Sequence, residues 1–237
     1  MIFWHLEDSS RQLENSDEPP AYLLSEVECE FFRALRIPKR RRDWLLGRKT
    51  VKYLCIHYFS RQGKSFKPIQ ISVINAADGA PEVFNQDGER LPITVSLSHR
   101  DSIAVAALSA GLEVKLGIDL ELCEKRPDGF ASDFFTLSEV SLIEQANVAE
   151  RDRLTTEVWS LKEAALKALR VGLRADTRSI EVEPRCEANT GWGLAKVKDR
   201  DGIINKAFVH DIGPYVVSVA WLDKSFVGAP IEEQELV

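Results

Sequence analysis

No stretch of this 237-residue sequence approaches the roughly 20 consecutive apolar residues that cross a bilayer. The start, Met1-Ile2-Phe3-Trp4-His5, lacks a basic leader followed by a long apolar run. A membrane span and a secretory leader are therefore not expected, and the expected location is the cytoplasm. Paired cysteines are lacking too: Cys29, Cys55, Cys123 and Cys186 are far apart and form no C-x-x-C, which argues against a zinc knuckle or a disulfide framework and for free thiols. There is no excess of positive charge. The sequence has 31 Lys and Arg against 37 Asp and Glu, a net of −6, whereas a general nucleic-acid binder is usually basic. Neither a G-x-x-x-x-G-K-[ST] loop nor a G-x-G-x-x-G turn is present, so any phosphate must be held by side chains and metal. No G-x-S-x-G elbow surrounds a serine, which leaves a serine hydrolase of that kind without its nucleophile. What is there, 44% apolar residues in a chain long enough for one large domain or two small halves, is an ordinary globular composition.

A polar segment from Asp8 to Pro20 separates a short strand at residues 2–6 from the first helix. Ser25, three residues before Glu28, predicts a capping box that opens a helix running to about Arg36. Pro38 interrupts before a second helix over about Arg41 to Phe59. Strands are predicted near residues 68–74, 93–97 and 103–108, with turn signals at Asp78-Gly79 and Asp87-Gly88. The order then recurs: a strand near 114–120, helices near 138–147 and 151–169, and strands near 179–182, 203–210 and 215–222. The expectation is an α+β chain of two similar α/β halves, residues 1–112 and 113–223, alike in design without a sequence repeat, then a loose polar tail at 224–237.

Four constellations carry chemistry. In Gly117-Ile118-Asp119-Leu120-Glu121, strand alternation puts Ile118 and Leu120 on one side and both carboxylates on the other. Two acids sharing one spot repel, and a hard divalent cation or a proton relieves them; alone, D-x-E equally describes an exposed acidic strand end. Trp159-Ser160-Leu161-Lys162-Glu163-Ala164-Ala165-Leu166-Lys167 lies in a helix with a core stripe of Leu154, Val158, Leu161, Ala165 and Leu169. Glu163, Lys167 and Arg170 fall off that stripe with Trp159 on its flank, which suits either a covered cleft or a solvated i,i+4 pair. Val95-Ser96-Leu97-Ser98-His99-Arg100-Asp101 reads as a strand running into a loop that offers a hydroxyl, an imidazole and a guanidinium, all able to bind phosphate oxygens. Finally, the basic run Lys39, Arg40, Arg41, Arg42, then Arg48, Lys49 and Lys52, sets Arg41, Arg48 and Lys52 along one helical face. That face suits a multiply charged phosphate ligand or plain solvation. Carboxylates for Mg²⁺, a His/Arg loop and a basic helix are together the parts of phosphoryl transfer.

In this order the pieces resemble the surfactin-type 4'-phosphopantetheinyl transferases, whose hallmarks are a G-[IV]-D-[LIV]-E strand and a later W-S-x-K-E-A-x-x-K helix, both present without a gap. Gly47-Arg48, the Asp78-Gly79-Ala80-Pro81 turn and Ser96-Leu97-Ser98-His99 also fit, so the resemblance covers roughly Leu24 to Val182. It implies a pseudo-twofold α+β fold with the active site, coenzyme A and Mg²⁺ in the cleft between the halves. It implies that Asp119, Glu121 and Glu163 are metal carboxylates, with Glu163 and Lys167 catalytic and Lys167 meeting the transferred phosphate. Ser98 and His99 would hold the coenzyme's phosphates, Arg48 with Arg41 and its basic neighbours would approach the 3'-phosphate, and Lys162 would be a further cofactor contact. One departure is Ala80, where many relatives place Lys or Arg before the proline. The implied reaction moves the phosphopantetheine arm of coenzyme A to a serine of an apo acyl, peptidyl or aryl carrier protein, releasing adenosine 3',5'-bisphosphate. Expected partners are those carriers and coenzyme A, with no nucleic acid and no membrane, and a monomer is expected because one chain carries both halves. Two other readings use the same residues: a Mg²⁺-dependent pyrophosphatase that cleaves a nucleotide cofactor with water, and a non-enzymatic module that binds carriers or coenzyme A.

Overall fold

The computed structural model describes residues 1–9, 18–112, 114–185 and 191–222, and the backbone of Ile231–Glu233. Most of the predicted loop from Asp8 to Pro20, and Cys186, lie outside the described residues. The chain forms two compact units, Met1–Val114 with Gly228–Val237, and Lys115–Val227.

The first unit runs β1 (Ile2–Asp8), α1 (Glu26–Ala34), α2 (Pro38–Ser60), β2 (Ile71–Asn75), β3 (Pro81–Asn85), β4 (Ile93–Arg100) and β5 (Ile103–Ala110). Glu28 accepts the backbone N–H of Ser25 at 2.9 Å, as the predicted capping box requires. Pro38 opens α2 instead of standing before it, since the first helical residue has no intrahelical use for an N–H; the helix therefore starts a turn earlier than the sequence suggested. The apolar face of α2, with Val51, Leu54, Cys55 and Phe59, packs on Ile93, Val95, Ala106 and Leu108 of β4 and β5. Strand β3 was hidden between two turn signals and pairs antiparallel with β2 around Val73 and Val83.

The second unit runs β6 (Leu116–Leu122), α3 (Phe130–Phe134), α4 (Leu137–Gln145), α5 (Val148–Ala168), β7 (Glu181–Glu183), β8 (Gly193–Lys198), β9 (Ile204–Ile212) and β10 (Tyr215–Trp221). Its sheet has the order β6-β10-β9-β8-β7, so first and last strands pair, just as β1 pairs β5 in the first unit. The five-residue α3 is too short to show a helical period, and β8 carries lysines at alternate positions; the sequence reading placed neither. The predicted stripe on α5 is the core of this unit: Val158, Leu161 and Ala165 are fully buried, with Leu154 and Leu169 packed against them.

The stretch expected as a loose tail supplies β11 (Ile231–Glu233), which runs parallel to Ile2–Trp4 and completes the order β11-β1-β5-β4. Strand pairing uses backbone N–H and C=O whatever the side chains, and a polar segment without periodicity gives no signal of it.

Both units contain the same buried ion pair. In the first, the ammonium of Lys52 donates to Glu28, to Leu23 O at 2.7 Å and to Pro68 O at 3.0 Å, while Glu28 also accepts Val73 N at 2.9 Å. In the second, Lys162 meets Glu139 at 2.8 Å and donates to Thr177 O at 3.0 Å and to Ile180 O, while Glu139 accepts Val182 N at 2.8 Å. Glu28 and Glu139 are each the third helical residue of a capping box, opened by Ser25 and Thr136. A lysine with all three protons placed ties the long helix to the short one and to the strand that follows. The two α/β units are thus alike in construction as well as in element order.

Candidate active site

The odd positions of β6 face α5. A Cβ built on Gly117 would lie 1.9 Å from Ala164 O, so helix and strand touch backbone to backbone at that point. Asp119 and Glu121, two and four residues on, point to the same face and are buried at 1% and 9% exposure. That burial removes the reading of an exposed acidic strand end. On α5, Trp159, Glu163 and Lys167 recur every four residues and meet them. The Trp159 indole N–H donates to Glu121 Oε1 at 3.1 Å, and Lys167 Nζ donates to Asp119 Oδ1 at 2.7 Å. Lys167 lies 3.9 Å from Glu163 and donates to Ile118 O at 3.2 Å. The other oxygen of Glu121 takes a 2.7 Å bond from Arg126, a residue of the loop after β6 that the sequence reading missed. Nothing periodic marks a single arginine in a loop.

Asp119, Glu121 and Glu163 each offer an oxygen within 4.8 Å of the others. Three hard carboxylate oxygens at this spacing suit a hard divalent cation such as Mg²⁺. The strain of holding them together shows in Glu163, whose carboxyl is raised from 4.5 to about 8. Burial is the main cause and the Asp119 charge the next, with Lys167 opposing. The consequence for stability has a definite sign. Between pH 4.5 and about 8 the folded protein keeps a proton that the unfolded chain releases, so stability falls as pH rises through that window. In metal-free protein the melting temperature is expected to fall more steeply across it than in Glu163→Gln. Parallel curves would show that Glu163 titrates like an ordinary carboxylate.

Lys162 does not join this cluster. It is fully buried in the ion pair with Glu139, and burial holds its ammonium below the usual lysine range, countered first by the Glu139 charge. The geometry gives Lys162 a structural contact where the resemblance implied a cofactor contact: position 162 is next to Glu163 in sequence but about a hundred degrees away around the helix. Lys162→Met is expected to cost about 3–5 kcal/mol of stability, by leaving Glu139 buried without its cation. Denaturant unfolding checks this, and an unchanged midpoint would return Lys162 to the candidate ligands.

In the first unit, Ser98, His99 and Arg100 belong to β4, not to a loop after it. The ladder continues to the pair Arg100↔Ile103, closed by Asp101 with φ 55°. Alternation then sends Ser98 and Arg100 to one face and His99 to the other, where it stands 3.9 Å from Asp43 of α2. Asp43 also pairs with Lys39 at 2.7 Å. Arg41 lies over the Phe32 ring at 5.5 Å and donates to Leu35 O. Arg48, expected near a 3'-phosphate, is 5% exposed, donates to Asn75 Oδ1 at 3.0 Å, stacks on Trp44 at 4.6 Å and faces Glu28 at 3.9 Å. Burial lowers its pKa to about 10. This placement gives Arg48 the work of tying α2 to β2, and Lys52 likewise faces inward. At the β2–β3 turn, Asp78 accepts Ala80 N at 3.0 Å and Gly79 takes φ 93°, so the turn forms with Ala80 as it stands.

The strand carrying Asp119 and Glu121 and the helix carrying Glu163 and Lys167 fall within one recognised domain. Residues 115–220 match the model of the 4'-phosphopantetheinyl transferase superfamily. The match covers the whole carboxylate cluster of the second unit. A protein of Synechocystis sp., slr0495, provisionally named a 4'-phosphopantetheinyl transferase, is 30% identical over 164 residues, which are 67% of this chain. That alignment spans 63% of the length of slr0495. The 4'-phosphopantetheinyl transferase HetI of Nostoc sp. is 24% identical over 210 residues, 85% of each chain. Among the described residues no helix is long and apolar enough to cross a membrane.

Proposed function

We propose that this chain transfers the 4'-phosphopantetheine group of coenzyme A to a serine hydroxyl of an apo acyl, peptidyl or aryl carrier protein, in a Mg²⁺-dependent reaction that releases adenosine 3',5'-bisphosphate. The observation that carries the reading is the cluster of Asp119, Glu121 and Glu163 with Lys167 against it, inside the stretch that matches the superfamily. Asp119, Glu121 and Glu163 would hold the cation. When bound, the cation would supply positive charge that favours the ionised form of Glu163 and polarises a phosphoryl oxygen. Glu163 would accept the proton of the attacking serine, and Lys167, 28% exposed at its side chain, would meet negative charge on the phosphate as the bond to the leaving group breaks. Ser98 and, from the opposite face of β4, His99, together with Arg41, are the first-unit side chains proposed for the coenzyme's phosphates; Arg48 and Lys162 are left out because each is buried against an acid, Glu28 or Glu139.

The experiment is incubation with coenzyme A, Mg²⁺ and a panel of apo carriers, read by intact mass. Addition of the arm to a carrier, with adenosine 3',5'-bisphosphate appearing only when that carrier is present, is the expected result. Release of the nucleotide without a carrier would favour a pyrophosphatase, and binding without any product a non-enzymatic module.

A further inference from the structure

Glu121 differs from the other two carboxylates in having both oxygens fixed by donors that the proposed reaction does not use. Oε1 accepts the Trp159 indole N–H at 3.1 Å and Oε2 accepts Arg126 Nη2 at 2.7 Å. The donors are braced against each other. The Arg126 guanidinium lies 5.4 Å from the Phe130 ring centroid, and Phe130 meets Trp159 edge-on at 5.1 Å. Phe134 packs on the same indole at 5.3 Å. Trp159 is 7% exposed and the Arg126 side chain 14%, so neither swings freely in water. A carboxylate has about four lone-pair sites, so donors from Trp159 and Arg126 do not by themselves use up its capacity to ligate.

We infer that Trp159 and Arg126 are positioning residues that hold Glu121 in its metal-binding orientation before any ion arrives. A glutamate has three side-chain torsions to freeze on binding a cation, whereas Asp119 has two and sits closer to its strand. The glutamate therefore gains most from being held in advance, and partners behind ligating carboxylates are typically worth 10- to 100-fold in metal affinity. Phe130 explains why the indole and the guanidinium act as one clamp: it fills the space between them, so loss of either loosens the other. This inference rests on the proposed metal-binding role of the cluster.

Two substitutions keep local charge and remove the hold. Trp159→Phe deletes the indole N–H while keeping an aromatic ring, and Arg126→Lys keeps the positive charge while losing the planar fork. Retaining the charge is essential, because deleting it would draw a cation closer and mask the loss of orientation. Mn²⁺ binding, read by paramagnetic resonance of the free ion with no coenzyme present, is expected to weaken 10- to 100-fold in each variant, measured well below the melting temperature, which Trp159→Phe lowers by its lost packing. Single-turnover transfer should need a correspondingly higher Mg²⁺ concentration and approach the wild-type rate at saturation. Wild-type Mn²⁺ affinity in both variants would overturn the inference. Absence of Mn²⁺ binding by the wild-type protein would instead overturn the metal-site reading on which it rests. A second readout does not depend on the variants folding: in protein labelled with ¹⁵N in its tryptophans, the Trp159 indole N–H resonance should shift in Glu121→Gln and on adding Mg²⁺ to the wild type. An indole signal indifferent to both would overturn the clamp.

Discussion

Glu163→Gln is expected to slow single-turnover transfer to an apo carrier by at least 10²- to 10⁴-fold, the usual worth of a general base, with the loss of a metal carboxylate added. The fold should not suffer. At neutral pH and without metal, Glu163 already carries a proton, since its carboxyl is raised to about 8, and glutamine reproduces that neutral shape. The melting temperature of Glu163→Gln should therefore equal or exceed that of the wild type in chelator. An exposed i,i+4 pair makes the opposite forecast, a loss of about 0.5 kcal/mol and full activity. Lys167→Ala should lower turnover more than it weakens coenzyme A binding, because its charge counts most as negative charge builds on the phosphate. Wild-type transfer by Glu163→Gln would remove this helix from the chemistry.

Gly117→Ala is expected to be the most damaging added methyl among the described glycines. The added Cβ would fall 1.9 Å from Ala164 O and 2.7 Å from Ala168 N, and both are backbone atoms of a helix held on several sides. Overpacking that a side chain can relieve costs about 1–3 kcal/mol; here the whole of α5 must move off β6, so a loss of more than about 3 kcal/mol or failure to fold is expected. Gly47 is the instructive contrast. Its added Cβ would meet Leu97 Cδ2 at 2.7 Å, the far end of a side chain that can turn, and a modest loss should follow. Chemical denaturation of both variants checks the ranking, and equal midpoints would mean that α5 does not bear on β6 as described. The glycine that opens the G-I-D-L-E strand is thus a packing requirement. It lets the helix come close enough for Lys167 to bond Asp119 and for Glu163 to bring an oxygen within 4.8 Å of it.

How much of this was legible in the sequence depends on the kind of pattern involved. Strand alternation at Asp119 and Glu121, and the stripe from Leu154 to Leu169, are periodic signals, and they placed both carboxylates and the buried face of α5 correctly. Nothing local in the sequence marks Lys162 and Arg48 as buried. Each is buried with a partner far along the chain, Glu139 or Asn75, and no local window contains that information. The loop assigned to His99 failed differently: a two-residue turn at Asp101-Ser102 let the ladder run three residues further than the apolar pattern did. Arg126 was out of reach, since its role depends on the path of the loop after β6 and on Phe130 beside it.

The buried lysine–glutamate pairs give this protein a control experiment of its own. Superimposing Lys52 on Lys162 in register sets Lys49 where Trp159 stands and Tyr53 where Glu163 stands. Lys49 donates to Glu7 of β1 at 2.6 Å, as Trp159 does to Glu121 of β6, so His5 falls at the place of Asp119. The first unit is therefore the same scaffold with its acidic triplet rewritten as His5, Glu7 and Tyr53 and with an ammonium lodged against the remaining acid. A matched lesion in each copy, Lys52→Met and Lys162→Met, separates what the scaffold needs from what the acids need: the stability lost in both is the cost of the frame, and any surplus in cation affinity lost with Lys162 alone measures how far the frame aims Glu163.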